Sequence, residues 1–234
     1  MKKIQFVLCL SIVSLFFFSF KYTDNTLFGA WKKDNAVFLF TKNYFSITHF
    51  DASKKVFEKT MGGTYAINGN TIEQKIEFAY PDTQMVGQAL KATFDLKNGQ
   101  LSYQNQEKME TWEKMTDDGA TPLSHLWQIV GRAQQDGSIG EIKKGARKTV
   151  KIMTNNRFQW IALNTQTKAF SGTGGGTYTL KDGKYTETIE FFSRDNTRVG
   201  ASLSFDAKVE GNKWIHTGKS SKGDPVHEIW ESQD

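Results

Sequence analysis

Cysteine is almost absent from this sequence, and proline is scarce. The single cysteine, Cys9, excludes a disulfide framework within the chain and any zinc site built from several cysteines. The formal net charge is only +5 and no run of five or six like charges occurs, so nucleic acid is not a favoured partner. With 38% apolar and 24% charged residues over 234 positions, the composition is that of one large or two small packed globular domains.

Long apolar runs are also missing, except at the N-terminus. Lys2 and Lys3 precede an almost purely apolar run from Phe6 to Phe20. This is the pattern of a signal peptide, and the run is shorter than the ~20 residues of a membrane span. We therefore expect residues 1–20 to be a signal peptide and the mature chain, without a membrane span, to be exported to the periplasm, the cell envelope or the exterior. No A-x-A pattern marks a cleavage site, which leaves an uncleaved anchor as the alternative.

The chain contains an internal repeat. Gly-Gly-Thr-Tyr at residues 62–65 recurs at 175–178, and Ile-Glu-Phe at 76–78 recurs at 189–191, both 113 positions later. Each copy also opens with Leu and Trp four residues apart and closes with Glu-x-Trp-Glu: Leu27 and Trp31, Glu110 to Glu113, Leu123 and Trp127, Glu228 to Glu231. Self-similarity in one register indicates two copies of one structural module.

The modules are joined by a short polar linker, Met115 to Pro122, which contains glycine and proline. We therefore predict two modules, residues 24–115 and 121–234. The shift between the copies grows from 96 at the opening tryptophans to 113 further on, so the second module has 17 extra residues within Gln128 to Arg147. Its glycines and mixed charges indicate a mobile loop, either a lid over a site or a tolerated surface insertion.

Each module has the pattern of successive short strands. Phe158 and Trp160 alternate with polar neighbours, which is the two-residue period of a half-buried strand. Asn68-Gly69 and Asp182-Gly183 are pairs that favour tight hairpin turns. About eight strands per module follow from this pattern. We predict an all-β fold of two tandem small antiparallel up-and-down β-barrels, because closure removes the exposed edges of such a meander.

Several motifs resemble a known group of proteins. Phe28-Gly29-Ala30-Trp31 is similar to the lipocalin signature, although His125-Leu126-Trp127 of the second module lacks its glycine. From Leu123 to Glu231 the chain resembles a family of secreted bacterial lipocalin-like (calycin-type) proteins of unassigned function. The motifs that carry this resemblance are Lys148 to Thr154, Arg157 to Trp160, Gly174 to Tyr178, Lys184 to Glu187, Ile189 to Phe191, Gly200 to Phe205 and His227 to Glu231. The resemblance implies the fold and the compartment more firmly than an activity.

The candidate ligand site is an aromatic stripe in the second module. Phe158, Trp160 and Tyr178 are expected to be its walls, with Glu190 and His216 as polar contacts. We expect them to bind a small apolar or amphipathic molecule in a barrel cavity. The alternative for each aromatic residue is ordinary core packing.

Catalytic and metal sites are not assigned from the sequence, and no cofactor is expected. His216 and His227 fall on neighbouring predicted strands and, with Glu228, either form a metal or acid/base site or are separate rim histidines. The repeated Glu77 and Glu190 are read as members of a solvated outer face rather than as a catalytic pair.

Three functions therefore remain open: a binding protein, a cell-envelope interaction protein with solid barrels that contacts protein or glycan, and a calycin-type enzyme. A cavity of ~300 Å³ or more favours binding, and a buried Glu and His pair of perturbed pKa within it favours the enzyme.

Overall fold

The computed structural model describes residues 27–134, 136, 138–220 and 222–234, so the expected signal segment lies outside the described residues. The described residues form strands joined by turns and two short 3₁₀ helices, Thr83–Met85 and Asn196–Arg198. The strands of the first module are β1 (Gly29–Lys33), β2 (Ala36–Phe40), β3 (Tyr44–Asp51), β4 (Val56–Asn68), β5 (Thr71–Tyr80), β6 (Ala89–Lys97), β7 (Gln100–Gln104) and β8 (Met109–Lys114). Those of the second are β9 (Leu126–Ala133), β10 (Ile139–Glu141), β11 (Arg147–Met153), β12 (Arg157–Asn164), β13 (Ala169–Lys181), β14 (Lys184–Phe192), β15 (Ser202–Glu210), β16 (Lys213–Lys219) and β17 (Pro225–Ser232).

Each module closes into an antiparallel barrel in which consecutive strands pair, except that β11 pairs with β9 rather than with β10. In the first barrel, β1 closes on β8 with Trp31 opposite Lys114. In the second barrel, β9 closes on β17 with Trp127 opposite Ser232, and β10 is an additional strand beside β9. The prediction of two tandem all-β up-and-down barrels is confirmed.

The repeated glycines and the repeated Ile-Glu-Phe form a β-bulge in each barrel. Gly62 pairs with Phe78 and Gly63 with Ile76, which leaves Glu77 as the extra residue. A Cβ on Gly62 would lie 2.6 Å from the Phe78 ring, so only glycine allows that ring to cross the strand. The second barrel repeats this arrangement, because Gly175 pairs with Phe191 and Gly176 with Ile189. Because the bulge inserts one residue, it reverses which side chains of the strand point inward and which point outward beyond it.

The closed end of each barrel is fixed by equivalent hydrogen bonds. The indole Nε1 of Trp31 donates to the carbonyl of Leu27 at 3.0 Å, and that of Trp127 donates to the carbonyl of Leu123 at 2.8 Å. All four of these residues are fully or almost fully buried. The opening Leu and Trp of each copy therefore seal one end of the barrel.

The insertion of the second module contains regular structure, where we expected a mobile loop. Strand β9 runs on to Ala133 and pairs with β10, with Ile139 opposite Ala133. A Cβ on Gly131 would lie 3.2 Å from Ile139 and 3.3 Å from Ile229, so the small residue lets the added strand lie against the barrel. The insertion thus extends the barrel wall along β9.

The two barrels pack against each other through their outer faces. Leu39 of β2 and Ile152 of β11 are 113 positions apart and belong to one buried apolar cluster that spans both barrels. Buried Gln159 lies at the same interface: it accepts from the hydroxyl of Thr48 at 3.0 Å and donates to those of Thr60 at 3.1 Å and Thr173 at 3.0 Å. Both faces of the contact therefore come from equivalent strands.

Candidate functional site

The interior of the second barrel contains a cavity of about 430 Å³, which we call the second cavity. This volume is in the range of small-molecule sites. Its apolar lining comes from four strands and consists of Trp160, Ala162, Ile189, Phe192, Leu203, Phe205, Val226 and Trp230. Its titratable lining consists of Arg132, Lys151, Glu187, Arg198, His216 and Glu228. An amphipathic guest would therefore find both an apolar wall and polar groups.

Lys151 is buried in an aromatic cage, which is formed by Phe158, Tyr185, Trp214 and Trp230. Its ammonium lies between 5.1 and 5.4 Å from the four ring centroids. The same ammonium donates to Oε2 of Glu187 at 3.4 Å, and that oxygen also accepts from the Tyr185 hydroxyl at 2.8 Å. The cage and the counter-charge together compensate the loss of hydration of the cation.

His216 is 4% exposed and lines the second cavity from β16. Its ring lies 4.1 Å from the Phe205 centroid and 5.0 Å from the Trp214 centroid. Neither ring nitrogen has a hydrogen-bond partner among the described residues. Burial lowers the pKa of His216; Glu228 opposes this effect and the Lys151 charge adds to it, so the pKa stays below its ordinary value and the neutral form is favoured. A neutral imidazole offers one donor and one acceptor to a guest.

Glu228 lies opposite His216, with Nδ1 and Oε2 3.5 Å apart. Glu228 also accepts from the guanidinium of Arg132 at 2.7 Å and from the indole of Trp230 at 3.1 Å. Burial alone would raise the pKa of Glu228, but its contact with His216 and the charges of Arg132 and Lys151 lower that pKa to about 2. Glu228 is therefore an ionised acceptor at neutral pH.

The ionised side chains of the second cavity are paired. Lys151 has Glu187, Arg132 has Glu228, and Arg198 lies 3.1 Å from Asp195. These charges of the cavity are therefore compensated, and the two ring nitrogens of His216 are buried without a hydrogen-bond partner among the described residues.

The five residues predicted from the sequence do not all share one surface. Trp160 and His216 line the second cavity. Phe158 and Tyr178 belong to the buried core around it, and the Tyr178 hydroxyl donates to the carbonyl of Thr154 at 2.6 Å. Glu190 is the extra residue of the bulge and forms an ion pair with Arg157, away from the cavity lining.

Sequence reasoning missed Lys151 and Glu187. The repeat contained the signal, because these residues stand 113 positions after Phe38 and Gln74. Phe38 and Gln74 are buried in the first barrel. The same register therefore places Lys151 and Glu187 inside the second barrel.

Within residues 27–234, apart from 135, 137 and 221, no group of three or more His, Cys, Asp or Glu side chains is arranged to hold a metal ion. His227 lies opposite Thr217 rather than beside His216. No helix in the described part of the chain combines the length and the hydropathy of a membrane span.

Parts of the chain are similar to known proteins. A family model described as a domain of unknown function (DUF4488) matches residues 122–232, which is the second barrel. A solved lipocalin-like protein from Bacteroides uniformis ATCC 8492 is similar with 15% sequence identity and a TM-score of 0.34, over 47% of this chain and 97% of that chain. No curated protein matches the sequence at a significant level.

The two closed antiparallel barrels have the architecture that the lipocalin-like resemblance of the sequence implied. The chain is a tandem of two such barrels.

Proposed function

We propose that the chain binds a small amphipathic molecule in the second cavity. The observation that carries this proposal is buried His216, whose two ring nitrogens have no hydrogen-bond partner among the described residues and which faces a space of about 430 Å³. A buried polar group without a partner costs about 1–3 kcal/mol, and a guest that bonds to it recovers that free energy. The apolar wall supplies the rest of the binding free energy through burial.

The polar end of the guest is uncharged and carries a hydroxyl or an amide. A charged end would require a free counter-charge, whereas Lys151, Arg132 and Arg198 are already paired. A hydroxyl both donates and accepts, as does neutral His216. Specificity would then come from one hydrogen-bonding position inside an apolar cup.

The alternative of a cell-envelope interaction protein requires solid barrels. Spaces of about 430 Å³ in the second barrel and about 620 Å³ in the first favour the binding protein instead. We keep the surface role as the reading that follows if ligands fail to bind.

The test uses 1-nonanol as the probe and fluorotryptophan NMR as the readout, because Trp160 and Trp230 line the second cavity. We expect 1-nonanol to shift both resonances with saturation, and sodium nonanoate to bind more weakly. His216→Phe keeps an aromatic ring beside Trp214 and removes both nitrogens. It should weaken binding of 1-nonanol by roughly tenfold, which is about 1.4 kcal/mol.

The control is Tyr103→Phe, which changes the position 113 residues earlier in the first barrel. It should leave the affinity measured at Trp160 unchanged. The proposal fails if neither resonance responds to 1-nonanol or to a panel of lipids, or if His216→Phe binds as tightly as the parent chain.

Acid/base chemistry on the bound molecule is a second candidate, favoured by the 3.5 Å approach of His216 to Glu228. Glu228 is a weak base because its pKa is lowered to about 2. Turnover of a bound ester that is lost in Glu228→Gln would support the enzyme; ester recovered intact after prolonged incubation would exclude this reaction.

Export is part of the proposal and rests on the pattern of residues 1–20. Fractionation of cells, with N-terminal sequencing of the product, tests it. A mature chain that begins close to Tyr22 outside the cytoplasm supports export, and an intact Met1 in the cytoplasmic fraction contradicts it.

A further inference from the structure

The first barrel contains a cavity of its own, about 620 Å³ in volume, which we call the first cavity. Its apolar lining includes Phe38, Ile47, Met61, Met85 and Leu90. Four of these positions carry different chemistry in the second barrel, where Lys151, Trp160, Gly174 and Arg198 follow them by 113 residues. The two cavities are therefore equivalent in place and different in lining.

Gln74 is the buried polar group of the first cavity and is 1% exposed. Its Oε1 accepts from the Tyr103 hydroxyl at 2.5 Å, and its Nε2 has no hydrogen-bond partner among the described residues. Gln74 and Tyr103 occupy the positions of Glu187 and His216 in the second barrel. The free polar group of the first cavity is therefore the N–H donor of Gln74, at the position of Glu187, whereas that of the second cavity is the imidazole of His216.

The remaining polar groups of the first cavity do not favour an anion. Glu110 lines it and lies 2.6 Å from the ammonium of Lys33 and 2.9 Å from that of Lys108. Lys91 is exposed and paired with Glu73. The Phe38 ring stands where the second barrel has its buried lysine, so among the described residues no buried cation lies beside Gln74 to hold a negative charge.

We propose that the first cavity is a second, independent binding site, for an uncharged apolar molecule whose carbonyl oxygen accepts a hydrogen bond from Nε2 of Gln74. The chain then holds two guests of different chemistry, one in each barrel. This inference does not depend on binding in the second cavity, because it uses another barrel and another polar group.

The experiment uses 2-nonanone as the probe and methionine-methyl NMR on the full chain. Met61 and Met85 line the first cavity, and no methionine lines the second. We expect 2-nonanone to shift both methyl resonances with saturation, and sodium nonanoate to do so only at much higher concentration. Gln74→Met keeps the length of the side chain and removes the donor, so it should weaken 2-nonanone binding three- to tenfold.

Two further variants make the outcome decisive. Gln74→Glu replaces the donor with an acceptor and should weaken 2-nonanone binding at least as much, which provides an independent test if Gln74→Met fails to fold. His216→Phe should leave the Met61 and Met85 responses unchanged, which separates this site from the second cavity. The inference is overturned if 2-nonanone shifts neither methyl group, or if both Gln74 variants bind it as the parent chain does.

Discussion

Lys151 occupies in the second barrel the position that Phe38 occupies in the first. Phe38 pairs with Ile47 across β2 and β3, and Lys151 pairs with Trp160 across β11 and β12, both 113 positions later. Phe38 packs against the rings of Phe45 and Trp112, whose counterparts Phe158 and Trp230 surround the ammonium of Lys151. The difference between Phe38 and Lys151 thus places a buried cation in the second barrel where the first has an aromatic ring. It gives the two cavities different polar linings.

The Lys151 and Glu187 pair should matter to stability because both side chains are buried. Lys151→Met leaves the Glu187 carboxylate without its cation, and removing one partner of a buried pair costs about 3–5 kcal/mol. We expect a loss of that size in the free energy of unfolding, measured by urea denaturation. Lys151→Met combined with Glu187→Gln should recover part of it.

The matched control for that pair is Lys184→Met. Lys184 and Asp206 form an ion pair on the surface, with 58% and 67% of their side chains exposed. Such pairs contribute about 0–1 kcal/mol. A Lys151→Met variant as stable as Lys184→Met would contradict the account of the cage.

The pH dependence of stability should include a contribution from Glu228. Its pKa falls from an ordinary 4.5 to about 2 on folding. A carboxyl group whose pKa is lower in the folded state stabilises the fold above its unfolded pKa, and this contribution is lost as the pH falls toward the folded pKa. About 3 kcal/mol should therefore disappear between about pH 5 and pH 2. The lowered pKa of His216 acts in the same direction below its ordinary 6.5, because the unfolded chain binds that proton more readily.

Glu228→Gln removes the carboxylate contribution and should flatten the acid side of the stability profile, followed by urea denaturation at a series of pH values. Glu113→Gln is the control, since Glu113 is 64% exposed beside Lys32. Parallel profiles for the parent and Glu228→Gln would show that Glu228 does not stabilise the fold in this way.

The glycine at the bulge should not tolerate a methyl group. A Cβ on Gly175 would lie 2.6 Å from the Phe191 ring and 2.5 Å from the carbonyl oxygen of Phe158. Gly175→Ala should therefore lower the free energy of unfolding by about 1–3 kcal/mol. Gly145→Ala is the control, because nothing lies within 4 Å of its added Cβ. Equal melting temperatures for the two variants would refute the close approach.

The interface between the barrels should depend on Gln159. Gln159→Ala removes hydrogen bonds to Thr48, Thr60 and Thr173 at a buried position, at a cost of about 1–3 kcal/mol. Ser204→Ala, which removes an exposed hydroxyl bonded to Thr186, should be close to neutral. Differential scanning calorimetry distinguishes the two variants, and an unchanged transition in Gln159→Ala would indicate that these bonds do not join the barrels.

The fold was predictable because its signals are periodic and repeated. The alternation of apolar and polar side chains, the turn residues and the recurrence of Gly-Gly-Thr-Tyr predicted two barrels. The alternation on β12 also predicted that the side chain of Trp160 points into the second barrel. Glu190 could not be placed by alternation, since the bulge at Gly175 and Gly176 inserts one residue and changes the parity of the strand. Lys151 was missed because a lysine on a strand is ordinarily solvated, and only its cage makes burial favourable.

The most direct measurement of the central claim is native mass spectrometry of the chain purified gently from its own cells. The account predicts one small molecule bound in the second barrel, lost in Trp160→Arg and retained in Ile47→Arg, the matched change in the first barrel. Extraction would then give the chemical class of the guest. A parent chain without any bound molecule, which a broad lipid and metabolite panel also fails to stabilise, would contradict the claim that the second barrel is a binding site.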